Sequence, residues 1–358
     1  MHKMHRLSAV FRIFADIIDS LIHKKMKRTF LSIVIISMGM MAWAQGSLTI
    51  KKVAHNAVRI QYQERPVTDT LPDWLYVKHD ETACDVQVET DAQTLTIKDR
   101  DGRQLFKATR HELQNGKATL AFDSPKDEYL FGLGQFQDGY SNVRGLSRRL
   151  TQVNTQISLP LLLSSKGYGI LWNNYGLTEF NPCEQTVTLT KRSGSGQSEI
   201  VDVTSTEGGR REVRERHIFD AVIHIEEEGD YALLLDVGQK MARRHNLTID
   251  GETVIEMQNL WLPPTASEIV HLKAGQHIVT AELTKDDVPL LYYNKVKDET
   301  VFSSPVADRV DYTVFTGTPD EIIATYRELT GQAPLMPDWA LGYIHCRERF
   351  HSSAEILE

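Results

Sequence analysis

Beyond residue 45 the sequence predicts a mostly β protein, and three observations carry that prediction. Short segments alternate apolar and polar residues, as in Leu48–Ala54, Ala57–Tyr62 and Arg309–Phe315, which is the period of a half-buried strand. Turn dipeptides with the chemistry of tight hairpins, Asp101-Gly102 and Asp250-Gly251, fall between such segments. A helix signature with both ends marked is confined to Thr318–Gly331.

The chain begins differently. Met26–Phe30 is basic, Phe30–Met41 is uncharged and mostly apolar, and Ala42-Trp43-Ala44 before Gln45 fits a small-x-small cleavage site. Residues 26–44 therefore read as a secretory signal peptide, because the apolar run is shorter than the ~20 residues that span a bilayer. Residues 1–25 are expected to be an upstream over-extension of the start. Export to a bacterial periplasm or the exterior is expected, with no membrane span after cleavage.

Charge agrees. Residues 1–28 hold seven Lys/Arg against two Asp, a net of +5, so with −8 for the whole chain the remainder carries −13. A surface that acidic repels phosphate backbones, which excludes nucleic acid as a partner and suits a neutral ligand. Cys84, Cys183 and Cys346 are far apart and odd in number, so neither a disulfide framework nor a metal knuckle is legible. No metal and no cofactor is expected.

Thr94–Lys98 and Arg103–Phe106 flank Asp99–Gly102 as a hairpin. The acidic residues there lack the spaced oxygen ligands and closing Glu of a calcium loop, so they read as a turn. Phe131–Gln135 begins like a dinucleotide fingerprint but lacks the third Gly opening a helix within a βαβ unit. The loop that follows is rich in amides and aromatics. Gln135, Gln137, Asp138, Asn142, Gln152, Asn154 and Gln156 offer donors and acceptors beside Phe136, Tyr140, Trp172 and Tyr175. Such a mixture complements the hydroxyl edges and C–H faces of a sugar. It equally suits aromatics filling a core and amides satisfying loop backbone, and both readings stand.

Between Thr190 and Pro305 the composition shifts. Lys191–Ser198 reads as a flexible linker. Trp261 and Tyr292-Tyr293 suit either a stacking surface for a glycan or a core. After residue 304, Thr318 is the expected N-cap of a helix, with Pro319 in its first turn, Glu321 completing a capping box and Gly331 at its end. Pro334 and Pro337 impose an extended linker. Trp339–Ile344 reads as a short buried strand, and a further helix is expected to start at Ser352 or Ser353.

Three sets of motifs carry a family resemblance. Tyr129–Tyr140, Leu150–Gln156 and Ser165–Gly176 resemble the amino-terminal, galactose mutarotase-like β-sandwich of glycoside hydrolase family 31. Gly331–His351 resembles the approach to that family's (β/α)8 barrel, whose chemistry sits on loops after several strands. Asp230–Val237, Asn246–Ile255 and Ile269–Leu283 resemble the β-sandwich module named after anthrax protective antigen, although a lone Asp250 stands where sugar-binding, calcium-dependent versions carry paired aspartates.

The resemblance implies an amino-terminal sandwich at 46–190 and 304–331, an inserted module at 191–303 and a truncated barrel start at 332–358. It implies the carbohydrate-binding portion of a retaining α-glycosidase, leaning to an α-xylosidase acting on xyloglucan oligosaccharides. A standalone carbohydrate-binding protein is the alternative. Retention needs two carboxyl groups about 5 to 5.5 Å apart; neither Glu348 nor Asp138 has an identifiable partner carboxylate, so no catalytic residue is assigned and the chain is expected to be inactive alone. The residues expected near substrate are Gln135, Asp138, Gln152 and Asn154 on the loop, with Arg347, Glu348 and Phe350 after the first barrel strand. The expected partner is an oligosaccharide or polysaccharide such as a xyloglucan fragment.

Overall fold

The computed structural model describes residues 46–64, 75–76, 84–91, 94–194, 196–205, 208–238, 244–258, 263–283, 288–344, 350 and 352–357. The expected signal peptide, Trp261, Cys346, Arg347 and Glu348 lie outside the described residues. The chain divides into two compact units, residues 1–48 with 63–67 and residues 49–62 with 68–358. Apart from the strand-end residues Ser47, Leu48 and Gln63, the sheets belong to the second, and few residues of the first are described.

The chain runs through β1 (Ser47–Ala54), β2 (Ala57–Gln63), β3 (Gln87–Thr90), β4 (Leu95–Lys98), β5 (Gln104–Gln114), β6 (Lys117–Asp123), β7 (Leu130–Gln135), β8 (Arg148–Leu150), β9 (Ile157–Ser164), β10 (Tyr168–Trp172) and β11 (Thr178–Phe180). It continues through β12 (Gln185–Thr188), β13 (Thr190–Lys191), β14 (Gln197–Ser205), β15 (Gly208–Ile225), β16 (Gly229–Asp236), β17 (His245–Ile249), β18 (Glu252–Met257), β19 (Thr265–Leu272), β20 (Gly275–Leu283) and β21 (Leu290–Lys295). Then come β22 (Glu299–Ser304), β23 (Val310–Thr316), helix α1 (Pro319–Thr330), a 3-10 turn at Asp338–Leu341 and helix α2 (Ser353–Leu357).

Two sheets, ordered β1-β2-β23-β10-β9-β7 and β3-β4-β5-β6-β22-β11-β8, form a first sandwich. Their alternating inward residues meet in an aromatic core. Phe106 lies 5.3 Å from both Phe122 and Tyr168, and Trp172 stacks on Phe302 at 5.8 Å and 8°. Such pairs add about 0.5–1.5 kcal/mol beyond the area they bury. Helix α1 covers the outer face of the first sheet, where Ile322 and Leu329 join Leu161, Leu171 and Phe315. Gly169 permits that approach, since a Cβ there would sit 2.9 Å from Ile322.

Two further sheets, β12-β21-β16-β19 and β13-β15-β20-β17-β18 with β14 paired to β15, share a separate core of Leu233, Leu235, Leu247, Val279, Ala281 and Leu291. The chain thus leaves the first sandwich after β11 and returns to it at β22. The crossing points fall elsewhere than the composition shift: Gln185–Thr188 pairs with β21 of the second sandwich, while Glu299–Ser304 pairs with β6 and β11 of the first.

The turn chemistry performs as expected. Asp250 and Gly251 both have positive φ (52° and 89°), as a two-residue hairpin turn requires, and Gly102 has φ 81°. Helix α1 carries the full capping box. Thr318 accepts from the Glu321 amide, the Glu321 carboxylate accepts from the Thr318 amide, Pro319 sits in the first turn, and Gly331 follows the last turn at φ 103°.

Two expectations are corrected. The Lys191–Ser198 stretch is no flexible linker where it is described: Thr190–Lys191 pairs with β15, the Arg192 amide donates to the Ile218 carbonyl at 2.8 Å, and its guanidinium grips Asp220 through two 2.7 Å bonds. Trp339–Ile344 is no buried strand. Residues 338–341 form a 3-10 turn, and Trp339 and Leu341 are 78% and 71% exposed. A strand needs a neighbour to accept its ladder hydrogen bonds, and among the described residues none pairs with this segment.

Candidate functional site

The loop system begins where β7 meets β9. The register shifts between Gly132 and Gly134, a bulge in which Gly132, Leu133 and Gly134 all have positive φ (117°, 68° and 106°). Glycine is imposed by close approach: a Cβ at Gly134 would fall 2.1 Å from the Ile157 carbonyl oxygen, and one at Gly132 would fall 2.4 Å from that of Leu161. Leu133, fully buried, holds its left-handed conformation at a cost of about 1–2 kcal/mol. Beyond the bulge the ladder resumes at Gly134 and Gln135, where the strand ends.

Two stretches of loop are tied together there. Gln135 pairs in register with Ile157, the Gln137 amide donates to the Thr155 carbonyl at 3.2 Å, and the Ser158 amide donates to the Gln152 side-chain oxygen. The Gln156 side chain, buried, donates to the Thr151 carbonyl at 2.8 Å. Gln135, Gln152 and Asn154 consequently share one loop end with their residues exposed to solvent.

Behind that surface the loop is anchored by charge. Arg148 is buried, lies 4.1 Å over the Phe136 ring and bonds the Asp138 carboxylate, whose other oxygen caps the Tyr140 amide. Burial pulls the Arg148 pKa down, and the Asp138 charge opposes that pull. Its Nε makes no hydrogen bond among the described residues. Arg149, next in sequence, turns the other way. Its Nη1 reaches Asp236 at the end of β16 at 2.6 Å, its Nε lies 3.8 Å from Glu179, and the guanidinium sits 5.8 Å from the centre of the Tyr292 ring. Burial works against its charge, yet Asp236 and Glu179 hold its pKa above the ordinary value.

Two more bonds cross to the second sandwich. The Tyr140 hydroxyl donates to Glu268, and the Ser267 hydroxyl donates to the Ser147 carbonyl. Burial first, then Glu268, pushes the Tyr140 pKa up to about 12, so it stays a hydrogen-bond donor at any physiological pH. The loop of the first sandwich is thus held by β16, β19 and β21 of the second.

The expected site residues therefore sort by place. Gln135, Gln152 and Asn154 lie together and exposed; Asp138 lies behind them with both carboxylate oxygens occupied. Phe350 is half-buried, and Arg347 and Glu348 lie outside the described residues. Of the aromatics, Trp172 is core, Tyr140 is committed to Glu268, Phe136 to Arg148, and Tyr175 is 83% exposed. Tyr293 is buried in the second core.

Sequence reasoning missed the anchors Arg148, Arg149, Asp236 and Glu268. A signal existed: two consecutive arginines in a strand send one to each face, and the inward one must find a partner. Among the described residues no cluster of three or more His, Cys, Asp or Glu is placed to hold a metal, and no helix is long and apolar enough to cross a membrane.

No family model matches the chain. An α-xylosidase of Saccharolobus solfataricus is 24% identical over 344 residues, covering 87% of this chain and 32% of that protein. An uncharacterized family 31 glucosidase of Pseudescherichia vulneris is 42% identical over 81 residues, 22% of this chain and 14% of the relative. The crystal structure of a GH31 α-xylosidase from Xanthomonas citri has a TM-score of 0.64 at 19% identity, covering 88% of this chain and 42% of that one, a likeness of fold. The chain spans about a third or less of these two curated relatives.

Proposed function

We propose, from curated and structural neighbours that point to the α-xylosidase/glucosidase proteins of glycoside hydrolase family 31 across most of the chain, that it is the amino-terminal, carbohydrate-binding portion of an exported retaining α-glycosidase. The match to an α-xylosidase along 87% of the chain is the observation that carries this reading. It favours xylose-bearing oligosaccharides such as xyloglucan fragments as ligands.

In this reading Gln135, Gln152 and Asn154 face the sugar. Amide side chains supply paired donors and acceptors that match vicinal hydroxyls, and their common, exposed loop end supports the assignment. Asp138 acts one layer back, fixing Arg148 and the turn at Tyr140. Catalysis would come from carboxylates elsewhere in the longer enzyme.

Saturation-transfer NMR with a xylosyl-glucose disaccharide tests the reading. Transfer to the xylose ring is expected, reduced when Gln152 or Asn154 is replaced by Ala and retained in Tyr175→Ala. Transfer that ignores all of these substitutions would refute the loop assignment.

A further inference from the structure

A cleft of about 340 Å³ opens where the two sandwiches meet, between β5, β6 and β22 on one side and β16, β21 and the segments 181–184 and 296–297 on the other. Its volume falls within the range of small-molecule sites, which favour the seams between domains. Its floor is polar and built. Ser303 of β22 lies opposite Thr119 of β6; both are buried, Ser303 completely, and the Ser303 hydroxyl makes no hydrogen bond among the described residues. A buried hydroxyl without a partner is uncommon in a folded core, and this one lines the cleft.

The charges around it cancel. Lys295 is held by Glu227 at 2.6 Å and Lys297 by Glu184 at 3.7 Å. That leaves Arg110 and Lys117 against Glu112 and Glu299, two of each sign. A net-neutral rim gives no advantage to an anion or a cation, yet presents charged donors and acceptors side by side. Ligands whose every polar group both donates and accepts satisfy such a rim, and vicinal hydroxyls do so. No aromatic ring lines the cleft among the described residues, so recognition runs through hydroxyl edges rather than through stacking.

We propose that this cleft is a saccharide site that takes a neutral mono- or disaccharide by its hydroxyl edges, with Arg110 and Glu112 as its hydrogen-bonding residues and the buried Ser303 beneath them as its polar floor. It shares no residue with the loop end of Gln135, Gln152 and Asn154 and stands or falls separately from that loop.

The test is an amide-resolved NMR titration of the whole chain with xylose, glucose, maltose and cellobiose, with citrate and spermidine as charged controls. Saturable shifts at Glu112, Thr119 and Ser303 are expected with a neutral sugar. Affinity should fall about tenfold or more in Arg110→Ala and Glu112→Ala, whose side chains are not core, and stay unchanged in Gln152→Ala. Shifts confined to residues 135–158, binding of citrate or spermidine in place of sugar, or no saturable shift up to about 10 mM sugar would each overturn the proposal.

Discussion

The bond between Arg149 and Asp236 offers the sharpest handle on how the loop is held. Asp236→Asn keeps size and the oxygen that accepts from the Gly238 amide while removing the charge facing the guanidinium. Removing one partner of a fully buried pair costs about 3–5 kcal/mol, because the other charge is left uncompensated. Here the side chains are 21% and 16% exposed and Glu179 remains 3.8 Å from Arg149. The expected loss is therefore smaller, about 2 kcal/mol. At about 2–4 °C per kcal/mol for a unit of this size, Tm should drop by about 4–8 °C. Adding Arg149→Met removes the stranded charge, so the double variant should recover roughly half of the loss or more. Hydrogen exchange read at Leu171–Trp172 and at Leu233–Leu235 shows where the loss falls. Faster exchange in both sandwiches is expected, since the pair joins β8 to β16. A change within about 0.5 kcal/mol, or one confined to Leu233–Leu235, would refute the view that the second sandwich holds the loop.

Three further outcomes follow from the geometry. Gly134→Ala should destabilise the β7–β9 edge by about 2 kcal/mol or more, since the new methyl meets the Ile157 carbonyl at 2.1 Å and φ is 106°; chemical denaturation measures it, and a neutral result would contradict the bulge. His277 bridges two acceptors, the Lys273 carbonyl at 2.8 Å and Asp250 at 2.6 Å, and the Lys273 bond foremost, with Asp250, raises its pKa above the ordinary histidine value. The stability it contributes is complete below the unfolded pKa of about 6.5 and is lost as pH rises through the higher folded pKa. An NMR titration of the ring should show that raised midpoint, lowered in Asp250→Asn but not abolished because the Lys273 carbonyl still accepts; an ordinary midpoint in the unsubstituted chain would contradict the bridge. Replacing exposed Trp339 and Leu341 by Ser should lower self-association in light scattering without changing Tm, because neither side chain is buried.

Much of the local structure was legible in the sequence. Asp250-Gly251 declared its hairpin because two positive φ values favour that dipeptide, and Thr318, Pro319, Glu321 and Gly331 declared both ends of α1. What depends on distant pairing was not legible. Nothing in Gln185–Thr188 or Glu299–Ser304 says which core each joins, so the crossing points between sandwiches fall elsewhere than the composition shift. Trp339–Ile344 is apolar enough for a strand, yet a strand also needs partners that sequence pattern does not supply. At the site, the amides of the loop end were legible as a group. The ion pairs behind them were not, because Asp138 meets Arg148, and Arg149 meets Asp236 from 87 residues away, only after the sheets have formed.

Under the proposed function, the loop end of Gln135, Gln152 and Asn154 would belong to a surface that reads xylose on an oligosaccharide. Isothermal titration of the chain with a cello-oligosaccharide and with its α-xylosylated counterpart compares the two ligands directly. Xylosylation is expected to tighten binding about tenfold or more, and Gln152→Ala with Asn154→Ala to erase the difference while leaving Tm unchanged. Equal affinity for the two ligands, or a preference that survives the double substitution, would contradict that reading.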